Sequence, residues 1–227
     1  MGINYGPPPV VADGLIFCVD VLDKSSYTGS GTTITELMLP KDGSIQGSGA
    51  SVVNGYLDLP GNGGAYVAVG PDTSYECPTA WTIMCWAKLD TMSGFRRLVG
   101  KQSTGCNYGL GFASGYQFGC IANDTGFRTH YHSSALNTGQ WYHLVGIYNG
   151  SHYIGYADNT QLFNQSITVN MGTARTNSTD ANVQIGTNNN GGELFHGLVG
   201  PIQIYNRALS ATEVSQNFNA QRGRFGV

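Results

Sequence analysis

Only four glutamates occur in the 227 residues, Glu36, Glu76, Glu193 and Glu213, and none has another acid within three positions. Glycoside hydrolysis needs two carboxylates facing one bond as acid and base or nucleophile, so this distribution argues against it. Glu213 stands three residues after Ser210, the spacing of a helix capping box, and the other three fall in loops or turns. His130-Tyr131-His132 places two imidazoles on one strand face, a spacing that chelates metal when a third ligand joins. No acid lies near in sequence, and an exposed polar pair on an edge strand is the competing reading. His143, inside Trp-Tyr-His-Leu-Val, reads as a structural hydrogen-bonding residue. No Gly-x-Ser-x-Gly elbow is present. Five cysteines lack any C-x-x-C spacing, which argues against zinc. Cys18 and Cys85 fall in strand patterns as small apolar fillers, while Cys106 and Cys120 flank a hairpin-like segment and are the candidate pair under oxidising conditions. No catalytic residue is assigned, and the chain reads as a non-enzyme.

The elements that hold these residues are strands. Leu15–Val21, Val52–Leu59, Tyr66–Val69, Phe95–Gly100, Tyr108–Phe112, Tyr116–Ile121, Phe127–His132, Tyr153–Ala157, Val183–Ile185 and Leu194–Tyr205 are short β-rich runs between turn residues. Trp81–Leu89 alternates, with Trp81, Ile83, Cys85, Ala87 and Leu89 on one side and Thr82, Met84, Trp86 and Lys88 on the other. Trp141–Tyr148 is apolar on both faces and is placed centrally. Thirty-three glycines supply the tight turns. About a dozen strands with almost no helix predict two packed antiparallel sheets. The one helix follows Ser210, with Leu209 and Val214 as a hydrophobic staple and Val214 and Phe218 as its inward stripe.

Charged residues make up 11% of the chain, and the net charge is −3. An average domain carries about 25%. Such a surface disfavours nucleic acid and anionic membrane as partners, and no run of ~18 apolar residues offers a membrane span. Met1–Pro9 has neither a basic n-region nor an apolar h-region, so an export signal is not expected there. Residues 1–12 are read as a Pro-rich arm and 13–227 as a single domain. Pro7, Pro8 and Pro9 favour a stiff polyproline II segment. With Tyr5 they form a candidate attachment arm; a strap across its own sandwich is the alternative.

Three segments carry a family resemblance: Trp81-Thr-Ile-Met-Cys-Trp-Ala-Lys, Gly139-Gln-Trp-Tyr-His-Leu-Val-Gly-Ile-Tyr-Asn-Gly, and Ile204-Tyr-Asn-Arg-Ala-Leu with its capped helix. They resemble laminin-G-like domains of the concanavalin A-like lectin/glucanase superfamily. The resemblance implies an all-β, concanavalin A-like antiparallel β-sandwich (jelly roll) with one short C-terminal helix. Many such domains hold calcium, but two segments that are usually Asp-rich read Pro60-Gly-Asn-Gly-Gly-Ala-Tyr-Val and Leu198-Val-Gly-Pro here. Asp20 and Asp23 are what remains as a weak calcium candidate, and no other cofactor is expected.

Sugar binding would use aromatic rings beside amides. The loop candidates for glycan contact are Tyr27, Tyr75, Tyr131, Asn188, Asn189 and Asn190. The two ends of the chain, Val11-Ala-Asp-Gly-Leu-Ile-Phe-Cys-Val-Asp and Gly223-Arg-Phe-Gly-Val, resemble laminin-G-like domains in structural proteins of tailed phages, including marine ones. That implies a non-enzymatic virion surface component (a capsid decoration, head-fibre or tail-associated protein) assembled in the host cytoplasm. Its expected partners are other virion proteins through the arm, a second copy of itself, and a polysaccharide. A carbohydrate-binding adhesin module of a bacterial surface or secreted protein is the alternative.

Overall fold

The computed structural model describes residues 9–227 apart from 72, 78, 91–92, 103–105, 124–126, 168–181 and 189–190. The strands are β1 (Leu15–Val19), β2 (Thr33–Thr35), β3 (Asp42–Gln46), β4 (Ser51–Val53), β5 (Tyr56–Pro60), β6 (Tyr66–Val69), β7 (Trp81–Leu89) and β8 (Arg96–Gln102). They continue as β9 (Cys106–Ala113), β10 (Gln117–Asn123), β11 (Phe127–Tyr131), β12 (Trp141–Tyr148), β13 (His152–Ala157), β14 (Thr160–Ser166), β15 (Val183–Ile185) and β16 (His196–Tyr205). A back sheet runs β14-β13-β12-β7-β16-β5-β4 with β1 also on β16, and a front sheet runs β11-β10-β9-β8-β15-β6-β3-β2. All of these pairings are antiparallel. The molecule is thus a nearly all-β sandwich with one helix, α1 (Ala211–Gln221).

Period-two alternation sorts each strand between the two faces of its sheet. Trp81, Ile83, Cys85, Ala87 and Leu89 of β7 enter the core between the sheets, where Phe112, Phe118, Val67 and Ile185 of the front sheet meet them. Met84, on the opposite face of β7, joins Val145, Ile147, Tyr205, Leu209 and Val214 in a second cluster beneath α1. The central strand β12 is therefore buried on both faces. β16 shares one edge between two partners, pairing β5 through His196–Val199 and β1 through Ile202–Tyr205. Its register against β7 shifts between Val199 and Ile202. Pro201, which has no N–H to give a ladder, sits in that break.

Several sequence expectations change. Val52–Leu59 is not one strand: Asn54 and Gly55, with φ of 53° and 78°, turn it into the β4–β5 hairpin. Both central residues of such a turn need positive φ, which Asn-Gly supplies. Leu15, Phe17 and Val19, which period-two alternation would set on one face, divide: Leu15 packs under the helix, whereas Phe17 and Val19 face the inter-sheet core, because the register slips between Leu15 and Phe17. Strands β2, β3 and β14 were not anticipated, as their polar residues give no alternating apolar face. Cys120 lies opposite Leu110, four residues along β9 from Cys106. At ~3.4 Å per residue that offset exceeds the reach of a disulfide; Cys120 is buried and free.

The helix forms as its signals indicate. Ser210 Oγ accepts from the Glu213 N–H, and Glu213 Oε2 accepts from the Ser210 N–H. The staple residues Leu209 and Val214 are both buried. Phe218 stacks on Trp86 at 5.8 Å but is only half-buried; Phe225, beyond the helix, covers that indole more closely at 4.0 Å and 9°. The His143 ring, expected to hydrogen-bond, has no partner at either nitrogen. Its backbone is engaged instead: the N–H donates to Asp158 Oδ1 at 2.8 Å, and the carbonyl accepts from the Asp158 N–H at 3.0 Å.

Candidate functional site

On the front sheet, the alternation that sends Tyr108, Leu110 and Phe112 of β9 and Phe118 and Cys120 of β10 inward turns Gly109, Gly111, Gly119 and Ile121 outward. Two of these glycines make room for larger side chains to lie flat. A Cβ on Gly119 would fall 2.4 Å from Cδ1 of Tyr131, and one on Gly109 would fall 3.1 Å from Nη1 of Arg97. The tyrosine ring and the guanidinium therefore rest on the sheet surface. They border a cavity of about 240 Å³ with Phe95, Thr129 and Glu193.

Arg97 comes from β8 and Glu193 from the turn before β16. The turn is closed by Asn188, whose Oδ1 accepts from the Gly192 N–H at 2.9 Å, and by the Thr187 hydroxyl, which donates to the Gly192 carbonyl. It leaves Glu193 at a φ of 51°, in a region few side chains adopt. In that conformation the Glu193 carbonyl accepts from the Arg97 N–H at 2.7 Å. Its carboxylate Oε2 accepts from Arg97 Nε at 3.3 Å and Nη2 at 2.9 Å. The side chains are 4% and 32% exposed respectively, so the carboxylate is the part of the pair that faces the cavity. Nη1 of Arg97 is enclosed without a hydrogen-bond partner. Phe95 is 53% exposed, with its ring centroid 5.9 Å from that of Tyr131.

Of the residues singled out in the sequence, Tyr131 lines this cavity. Tyr27 and Tyr75 do not offer rings to a ligand. Tyr75 is fully buried with its hydroxyl donating to Glu36 Oε2, and Tyr27 is 9% exposed with its hydroxyl donating to the Gly31 carbonyl. Asn188 is occupied in the turn, and Asn189 and Asn190 lie outside the described residues. Asp20 does not stand open as a calcium ligand: both its oxygens accept from Arg224 Nη1 at 2.8 Å. Asp23 accepts from the Ser25 N–H. His130 is set edge-on against Phe163 at 4.8 Å, and burial, with His132 beside it, holds its pKa below the usual 6.5. Among the described residues no three His, Cys, Asp or Glu side chains gather as a metal group.

Sequence reasoning missed Phe95, Arg97 and Thr129, and read Glu193 only as a turn residue. A signal existed in Arg96-Arg97-Leu-Val-Gly-Lys101, where cations flank the apolar Leu98-Val99 pair of a short strand. A wider depression of about 690 Å³ lies beside Asp20, Arg222, Arg224 and Val227. No aromatic ring lines it, and the Asp20–Arg224 pair spends its charge internally.

Of the arm, Tyr5, Pro7 and Pro8 lie outside the described residues. The carbonyl of Pro9 accepts from Gln216 Nε2 of α1 at 2.8 Å. Val11 is buried under the helix, donating its N–H to Asn217 Oδ1 at 2.7 Å.

A family model described as the concanavalin A-like lectin/glucanases superfamily matches residues 61–215. Comparison with curated proteins gave no match. Among solved structures, the Trypanosoma rangeli sialidase in complex with the inhibitor DANA is similar at 17% identity and a TM-score of 0.69. That match covers 94% of this chain and 34% of the sialidase. The binding domain of Botulinum Neurotoxin DC in complex with SialylT is similar at 12% identity and 0.68, covering 92% and 52%. The binding domain of Paraclostridial Mosquitocidal Protein 1 is similar at 16% and 0.68, covering 91% and 52%. The chain thus spans about a third to a half of these proteins, and identities this low speak to the fold.

Proposed function

The chain belongs to the concanavalin A-like lectin/glucanases superfamily, and on that footing we propose that it is a non-enzymatic, lectin-like recognition module that binds a glycan on the front sheet. The observation that carries this reading is Phe95, a half-exposed ring set beside Tyr131 and the Glu193 carboxylate. A sugar ring presents an apolar C–H face and a hydroxyl edge, which is the combination such a cavity complements. The structural neighbours include a sialidase and a toxin binding domain in complex with SialylT, which favours the same class of partner.

The carboxylates support a non-enzymatic role. Glu36 is buried and accepts from the backbone N–H groups of Cys18, Met38 and Leu39. Glu213 caps α1 and pairs with Arg207, and Glu193 is bound to Arg97. These are three of the four glutamates, each with a structural partner.

The setting we propose is a virion surface, on the resemblance of the two chain ends to phage structural domains. An adhesin module of a secreted bacterial protein is the second reading, favoured by the bacterial toxin binding domains among the neighbours. Detection of the protein in purified particles separates the two. Glycan-array binding by the wild type, reduced about tenfold or more by Phe95→Ala, is the expected result for the site. Equal binding by Phe95→Ala would remove this cavity from consideration.

A further inference from the structure

Resting on that recognition reading, we propose that the front-sheet cavity takes an uncharged hexopyranose rather than a carboxylate-bearing sugar. The electrostatics of the Arg97–Glu193 pair decide this. An arginine that recognises an anion turns its fork of N–H donors toward it. Here two of those donor positions, Nε and Nη2, already meet Glu193 Oε2, and the third, Nη1, is enclosed over Gly109. The arginine side chain is 4% exposed against 32% for the glutamate. A ligand entering the cavity therefore meets the carboxylate as the more accessible member of the pair, with the lining guanidinium of Arg97 largely covered behind it.

A second polar group at the rim, Thr129, agrees with this. Thr129 is exposed, and its hydroxyl both donates and accepts. Among the described residues neither its hydroxyl nor Glu193 Oε1 takes part in a hydrogen bond, so both are open to a ligand hydroxyl. A ligand carboxylate beside Glu193 would face a like charge in a half-enclosed site, where repulsion is stronger than in water. A hydroxyl would donate to Oε1 and exchange a further bond with Thr129 while the C–H face of its ring lies on Phe95. The cavity, about 240 Å³, is smaller than the roughly 300–1,000 Å³ of most ligand pockets, which suits one sugar ring.

The test uses matched oligosaccharides that differ only in a terminal sialic acid, titrated against wild type, Glu193→Gln, Thr129→Val and Phe95→Ala. The wild type is expected to bind the uncapped member and to lose at least tenfold on capping, with little dependence on salt. Glu193→Gln removes the repelling charge, so capping should cost several-fold less. If that variant melts early because Arg97 has lost its partner, Thr129→Val serves instead: it removes one hydroxyl at an exposed position and should weaken the uncapped sugar several-fold. Tighter, salt-sensitive binding of the sialylated member by the wild type would overturn the inference while leaving the recognition reading intact. An absence of binding to both members, in a wild type shown to be folded, would overturn the recognition reading itself.

Discussion

The imidazole of His143 is packed at 5.1 Å from the Trp86 ring and 5.8 Å from Phe218, with neither nitrogen hydrogen-bonded. Burial pushes its pKa from the ordinary 6.5 down to about 3. Between those values the unfolded chain binds a proton that the native state refuses. The stabilising contribution is therefore complete above pH 6.5 and is lost progressively as pH falls toward 3. At 1.36 kcal/mol per unit, the loss reaches about 2 kcal/mol at pH 5. His130, also held below 6.5, acts in the same direction, so the difference between wild type and variant is the measure. His143→Leu keeps the site apolar and similar in volume, and its unfolding free energy should fall less steeply between pH 6.5 and 5 than that of the wild type. Equal slopes in urea melts across that range would assign the acid sensitivity elsewhere. Glu213, whose pKa is held down to about 2 chiefly by Arg207, contributes in a lower window. Its stabilisation is present above the ordinary 4.5 and is lost as pH drops toward 2.

At the level of elements, the helix shows what the sequence discloses and what it hides. The capping box (Ser210–Glu213) and the staple (Leu209–Val214) are local patterns, four and six residues long, and were legible. The inward stripe was read as Val214 and Phe218, yet the fully buried polar residue is Asn217. It accepts from the Val11 N–H at 2.7 Å and donates to the Tyr205 hydroxyl at 3.0 Å, while that hydroxyl donates to the Val11 carbonyl at 3.0 Å. An asparagine in mid-helix reads as a solvent-facing residue, and only the meeting of three distant segments gives it a structural role. Asn217→Ala should cost about 2–4 kcal/mol, since it leaves two buried groups without their partner. Ser210→Ala should cost ~1 kcal/mol. A larger loss from Ser210→Ala in denaturant melts would mean that the helix is held by its cap and not by this ring of hydrogen bonds. The same reasoning explains the β4–β5 hairpin: its Asn-Gly signal was present, but Val52–Leu59 also satisfied the alternation of a single strand.

At the scale of the whole molecule, the two outer faces of the sandwich differ: α1 covers part of the back sheet, and the cavity opens on the front sheet. The core and strand pattern were legible because alternation is a property of each strand alone. The cavity was not: Phe95 and Arg97, Thr129 and Tyr131, and Glu193 come from three segments that only the sheet brings together. The first and last described segments both lie on the back sheet. Val11 is buried under α1, and Phe225 covers Trp86. The candidate glycan cavity opens on the front sheet, with the inter-sheet core between. A module built this way can be tethered by its ends and still present its cavity outward. If the arm is the anchor, deletion of Met1–Pro9 should leave a folded chain, because Val11 and its bonds to Asn217 and Tyr205 stay in place. The one described side-chain bond removed is that from Gln216 to the Pro9 carbonyl, exposed and worth about 0.5–1.5 kcal/mol. Sugar binding by the deleted chain should match wild type, while incorporation into particles should fall. Val11→Asp tests the other side of the argument: it sets a charge in a closed apolar site and should destabilise the helix-covered face without altering the cavity. Loss of sugar binding in the arm deletion, with its melting temperature unchanged, would show that the two faces are not independent.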